Sequence, residues 1–183
     1  MTSACNLRHM TINDLKLVRE WRNSELVRSK MYTNHIISED EHTNWWSKVS
    51  IQTDFVAYIF EDSMKPTGFL SFSDIDWQRK QCSWGCYVAP GSKIGIGAKL
   101  EFLALDEAFF QLSMKVLMCE VLALNSSVIN MHKHFGFEVH SRSQRIVSGV
   151  EQEIVQMGIE SESWSLQRAL LVDRLWGTLK SAY

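Results

Sequence analysis

The chain has 183 residues, an apolar content of 45% and a formal net charge of −2, enough to bury one sizeable core. Nineteen basic residues against twenty-one acidic ones leave no cationic excess to neutralise phosphates, which excludes a general nucleic-acid binder. No uninterrupted apolar run reaches the length of a bilayer span.

Residues Met1 to Asn6 lack the basic-then-apolar order of a signal peptide, so a cytoplasmic protein is expected. Cys5, Cys82, Cys86 and Cys119 have neither zinc nor redox spacing. They read as small buried hydrophobes in a reducing compartment, and no metal is expected.

In chain order, Leu7 to Met10 reads as a short strand. Thr11-Ile12-Asn13-Asp14 has capping-box spacing and opens a helix with Leu15, Val18 and Trp21 on one stripe. That helix runs to Arg22-Asn23, and a second short helix or turn covers Glu25 to Met31. Met31 to His35 reads as loop. Ser38 to Glu41 is a second capping box, starting a helix with His42, Trp45, Trp46 and Val49. Three strands follow, Phe55–Phe60, Gly68–Ile75 and Cys82–Val88, joined by polar turns at Glu61–Pro66 and Asp76–Lys80, which predicts an antiparallel meander.

A glycine-rich turn, Ser92 to Gly97, then opens an apolar helix predicted over Ile94 to Leu112. Backbone N–H groups and a helix dipole converge at such a turn, a ready anion site. Val116 to Leu122 reads as a strand buried on both faces, with Glu120 its one acid. A helix capped by Asn125 runs to about Phe135, and Gly136 fits a left-handed C-cap. Phe137–Val147 and Val150–Ile159 form a hairpin around Ser148-Gly149, and Trp164 to Leu179 reads as an amphipathic helix.

Ser92-Lys93-Ile94-Gly95-Ile96-Gly97 resembles the Gln/Arg-x-x-Gly-x-Gly/Ala turn of GCN5-related N-acetyltransferases, the GNAT superfamily. Asn125, His132 and Gly136-Phe137 resemble its later motif, with His132 where a Tyr is usual. One helix and one buried strand separate the two motifs, and the resemblance covers roughly residues 6 to 160. It implies an α/β (α+β) acyl-CoA acyltransferase fold: a mixed, mostly antiparallel sheet of six to seven strands flanked by helices. One domain over 1–183 is expected, with a core at 6–160 and an appended helix at 162–180 that is either a packing helix or a homodimer contact.

The resemblance implies acetyl-CoA as co-substrate, held by Tyr87, Val88, Lys93, Ile94, Gly95, Ile96, Gly97, Ala98 and Asn125. Turn N–H groups from Lys93 to Ala98 would meet the pyrophosphate, and an N–H near Val88 would polarise the thioester carbonyl. His132 would be the general acid for the leaving thiolate; its alternative is a surface histidine, since His134 lies two residues on. Glu120, if buried with a raised pKa, suits a general base; its alternative is a solvent-facing strand residue.

Glu20-Trp21-Arg22-Asn23, Met31-Tyr32 and His42-Thr43-Asn44-Trp45 further resemble nucleotide-sugar N-acetyltransferases of the pseudaminic acid pathway. Those act on the 4-amino group of a UDP-linked 4-amino-4,6-dideoxy sugar. The likeness implies an acceptor pocket of Arg22, Met31, Tyr32, His42, Trp45 and Tyr87. A guanidinium forks onto phosphate oxygens, and Met with aromatic rings covers a deoxy-sugar methyl edge. Arg-Asn after the first helix also occurs in ribosomal-protein acetyltransferases, which keeps a protein N-terminus open as acceptor. The Tyr-to-His change at 132 keeps open a non-catalytic acyl-CoA sensor.

Overall fold

The computed structural model describes residues 5–176. Its elements are β1 (Cys5–His9), a 3-10 turn (Ile12–Asp14), α1 (Leu15–Asn23), α2 (Glu25–Arg28), α3 (Glu39–Val49), β2 (Val56–Asp62), β3 (Lys65–Asp76) and β4 (Gln81–Val88). There follow α4 (Ile96–Asp106), β5 (Val116–Leu122), α5 (Ser126–Phe135), β6 (Glu138–Val147), β7 (Val150–Glu160) and α6 (Ser161–Trp176). Seven strands form one sheet in the order β1-β2-β3-β4-β5-β7-β6, antiparallel except for β4 beside β5. No helix among the described residues is long and apolar enough to cross a membrane.

Local chemistry sets the element ends. The β2–β3 turn is tighter than expected over Glu61–Pro66. Ser63 and Met64, both at positive φ, make the turn, and Lys65 and Pro66 already pair with Asp62 and Glu61. Ser148 and Gly149 repeat that geometry between β6 and β7, a two-residue hairpin turn matched to strand twist. The Ser38 hydroxyl accepts the Glu41 N–H at 3.1 Å and starts α3. The helix predicted to Leu112 ends at Asp106, and a wider turn over Glu107–Gln111 follows, closed by Leu112 N–H to Glu107 O at 2.9 Å.

Parallel neighbours need a long crossover, and α4 supplies it between β4 and β5. The two strands pair only over Gln81–Ser83 with Val116–Met118. Beyond that, β4 stays on β3 as far as Val88, and β5 stays on β7 as far as Leu122. The sheet therefore opens into a wedge whose two inner strand edges lack a sheet partner.

The expected C-terminal helix packs within the chain. Trp164 is fully buried, its ring edge-on to Phe102 of α4 and stacked on Phe135 of α5. Its Nε1–H donates to Asp106 at 3.0 Å, and Arg168 forks onto the same carboxylate. Residues 177–180 of the expected helix lie outside the described residues.

At the other end, Arg8 on β1 forks onto Asp14 at 2.7 and 2.8 Å and reaches Glu61 at 2.8 Å. The Arg8 hydrogen bonds hold the Asp14 carboxyl below its ordinary value, against the opposing effect of burial. A depressed folded-state pKa contributes stability that is complete above the unfolded value, about 3.9, and is lost as pH falls through the folded value. Urea midpoints are expected to drop as pH falls from about 5 to about 2, and less steeply in Asp14→Asn. Equal slopes in the two proteins would remove this pair from the account.

Candidate active site

The wedge is the mouth of a cleft of about 660 Å³. Its walls are the C-terminal half of β4 with the following turn (Trp84 to Ser92) and the end of β5 (Cys119 to Leu122). Gly97 opens from the first turn of α4, Asn125, Met131 and His132 come from the α5 side, and Met31 and Lys30 come from the segment after α2. Gly95 caps α4 at φ +90°, a conformation that glycine adopts without strain. The first turn of a helix leaves N–H groups without intrahelical partners, and of the residues in this turn Gly97 lines the cleft.

Of the residues expected to hold the coenzyme, Tyr87, Val88, Gly97 and Asn125 line this cleft. Ile96 is buried beneath the turn against Phe60 and Leu100, so its side chain anchors the turn. Ile94 is fully exposed at the turn's tip. Lys93, Gly95 and Ala98 belong to the same turn without lining the cleft, and the Lys93 carbonyl accepts the Ile96 N–H at 3.2 Å.

His132 is a buried residue, 4% exposed, and not the surface histidine of the alternative reading. Its Nδ1 lies 2.8 Å from Oε1 of Glu101. Its ring packs at a tilt against Trp84 and Phe137, with centroids at 5.3 and 5.0 Å, and those two rings stack on each other at 5.8 Å. The Gly136 C-cap at φ +101° closes α5 back onto the His132 carbonyl, which accepts the Phe137 N–H at 3.0 Å.

Glu120 departs from expectation. It lines the cleft from an exposed position on β5 and is not sealed within an apolar strand. Arg145 holds it through two nitrogens at 2.9 and 3.1 Å, Gln156 donates at 3.0 Å and the Tyr32 hydroxyl at 2.8 Å. Partial burial pushes its carboxyl up, but these donors outweigh that and leave it below the ordinary value, not raised as expected. The physical reason is strand alternation: Cys119 and Val121 face the core, so Glu120 faces away from it.

The expected acceptor residues divide. Arg22, His42, Trp45 and Tyr87 share a second pocket of about 300 Å³ with Thr33, Ile37, Glu41 and Phe69. Phe69 and Tyr87, stacked at 5.1 Å, border both cavities. Met31 lines the larger cleft, and Tyr32 is tied to Glu120. Arg22 gives Nη2 to the Thr33 carbonyl at 2.8 Å, while its buried Nη1 has no partner. His42 is stacked on Trp45 at 5.0 Å; burial first, then Arg19 and Arg22, lower its pKa and keep the ring neutral. Trp45 also packs against the core cluster around Phe69, so it serves pocket and core together.

A family model described as an acetyltransferase (GNAT) domain matches residues 5–138. The chain belongs to the GNAT acetyltransferase family. It is an N-acetyltransferase that uses acetyl-CoA. No curated protein matches the chain by sequence.

Solved structures repeat the GNAT fold. A spermidine N-acetyltransferase from Vibrio cholerae, in complex with CoA and spermine, superposes with a TM-score of 0.82 at 19% identity, over 88% of this chain and 98% of that one. A dodecameric spermidine N-acetyltransferase from the same organism gives 0.74 at 18% identity, over 87% and 95%.

Glu101 and Arg145 are not among the site residues expected from the sequence. Glu101 does carry a signal: it is the one acid in α4 before Asp106, in a helix otherwise apolar on most faces. Arg145 sits in an exposed edge strand with Arg142 nearby and carries no such signal.

Proposed function

We propose that the chain transfers the acetyl group of acetyl-CoA to the amino group of a UDP-linked amino-deoxy sugar, of the kind acetylated at the 4-amino position in pseudaminic acid biosynthesis. Transfer is direct, within a ternary complex. The observation that carries this reading is Arg22: a buried guanidinium nitrogen without a partner, in an aromatic-lined pocket adjoining the coenzyme cleft. An unpaired buried donor of this kind is satisfied by an anionic ligand. A diphosphate meets that need and a polycation does not. Glu41, the one carboxylate lining that pocket, is already engaged by His35 at 2.9 Å.

The division of labour follows from the charges. The pantetheine arm adds along the open β4 edge, with the turn at Lys93–Ala98 and the α4 N-terminus at the pyrophosphate. Glu120 is the only carboxylate among the residues lining the larger cleft. Ionised and shared among three donors, it attracts the acceptor ammonium and passes its proton to water. His132 protonates the departing thiolate. Met31, Trp45, Tyr87 and Phe69 give the sugar an apolar wall.

Arg22→Leu tests the reading. A hydrogen bond to a charged partner is worth about 1.5–3 kcal/mol, so KM for the nucleotide sugar is expected to rise by about 10- to 10²-fold. The KM for acetyl-CoA should stay within about twofold, because Arg22 does not line the coenzyme cleft. Equal losses for both substrates would make Arg22 structural and remove the support it gives to an anionic acceptor.

A further inference from the structure

The geometry points to Glu101 as the positioning residue of a buried Glu101–His132 pair that delivers one proton from His132 Nε2 to the leaving thiolate. This rests on the acid role given to His132 above. Glu101 is 0% exposed, its Oε1 lies 2.8 Å from His132 Nδ1, and its Oε2 has no partner. A carboxyl group sealed in a helix with half its hydrogen-bonding capacity unused is costly. Simple packing would fill the same position with an apolar residue. What this placement supplies is a fixed imidazole: with Nδ1 held by Glu101, and the ring packed against Trp84 and Phe137, Nε2 is the nitrogen left for the cleft that His132 lines.

The pair works as one acid. Burial pushes the Glu101 carboxyl up against the pull of the His132 hydrogen bond. In the charged form of the pair, a carboxylate accepts from the Nδ1–H of an imidazolium. In the neutral form, a carboxylic acid donates to Nδ1. Both forms have zero net charge and both carry a proton on Nε2, so the assignment of the shared proton does not matter. When the thioester carbon–sulfur bond breaks, its electron pair stays on sulfur and the Nε2 proton moves to it. A thiol results, and the pair is left with a carboxylate and a neutral Nδ1–H imidazole. Solvent returns the Nε2 proton.

Among the described residues around this unit, the charge of His134 on α5 also acts on Glu101, in the direction that lowers its carboxyl. Cys86 of β4 and Cys119 of β5 face Glu101, and burial raises both thiols, Cys119 to about 12, so they stay neutral. His134 on α5 is turned toward Arg174, whose Nη1 lies 3.0 Å from its Nε2.

The test is the pH profile of kcat in Glu101→Gln. An amide keeps an acceptor for Nδ1–H but removes the carboxylate that balances the charge of the protonated pair. The descending alkaline limb is expected to move down by about one pH unit or more, and kcat at about pH 7.5 to fall about tenfold or more, with KM for acetyl-CoA unchanged. A structural role would not move the limb. Nitrogen NMR of the wild-type protein at alkaline pH needs no variant: it should show His132 protonated at Nδ1 and bare at Nε2, and the opposite tautomer would overturn the pair. If Glu101→Gln leaves the limb in place while His132→Asn remains impaired, the pairing is wrong and the acid role stands. If His132→Asn is also unimpaired, the acid role itself fails.

Discussion

His132→Asn is expected to lower kcat by about 10²- to 10⁴-fold, the usual contribution of a positioned proton donor, while acetyl-CoA still binds with nearly unchanged affinity. Asparagine keeps an N–H near the place of Nδ1, so Glu101 retains a donor, and only the Nε2 edge, which Glu101 does not hold, is lost. Coenzyme binding is expected to be spared, because the proposed coenzyme site draws on backbone: the open β4 edge and the first turn of α4. Isothermal titration with acetyl-CoA beside steady-state kinetics separates the two effects. A folded variant that keeps wild-type kcat would return His132 to the status of a core histidine. A variant that loses binding and turnover together would point to damage in the wedge.

The largest stability effect is expected at Trp164. Truncation of a fully buried Trp typically costs about 3–5 kcal/mol, and Trp164→Ala also strips a donor from Asp106 and opens a void between Phe102 and Phe135. Phe102 adjoins Glu101 on α4, and Phe135 lies one turn beyond His132 on α5, so α6 braces both helices behind the Glu101–His132 pair. Urea unfolding should show a lower midpoint with a similar slope, and Trp164→Phe should recover most of the loss. A change below about 1 kcal/mol would mean that α6 is docked only loosely, since so small an effect is typical of surface positions.

Much of this architecture is legible in the chain. The succession of elements along the chain, the glycine turn and the Gly136 cap are local signals, set by alternation, turn chemistry and positive φ. The helix-to-turn change at Asp106 is not local: Asp106 is held by Trp164 and Arg168 some sixty residues on. The two acids are the instructive pair. Polarity inside an apolar pattern marks both Glu120 and Glu101, but a strand exposes every second residue, and a helix apolar on most faces leaves no exposed stripe. The same signal therefore means a surface position in β5 and a sealed one in α4. Arg145 and Gln156, which hold Glu120, come from β6 and β7 across the sheet, and only the tertiary register brings them together.

The acceptor site shows the same limit. Arg22, His42 and Trp45 do converge with Tyr87, but Met31 and Tyr32 turn to the larger cleft. Adjacency in the segment after α2 does not determine which cavity a side chain joins.

The proposed acceptor is anionic, on a fold that solved spermidine N-acetyltransferases share. Initial rates of acetyl transfer from acetyl-CoA, measured side by side, test it most directly. The acceptors are a UDP-linked 4-amino-4,6-dideoxy sugar, spermidine and a ribosomal-protein N-terminal peptide. The expected result is kcat/KM at least about 10²-fold higher for the nucleotide sugar, the gap a lost pair of charge-assisted contacts would produce. Efficient acetylation of spermidine or of the peptide, with none of the nucleotide sugar, would contradict it.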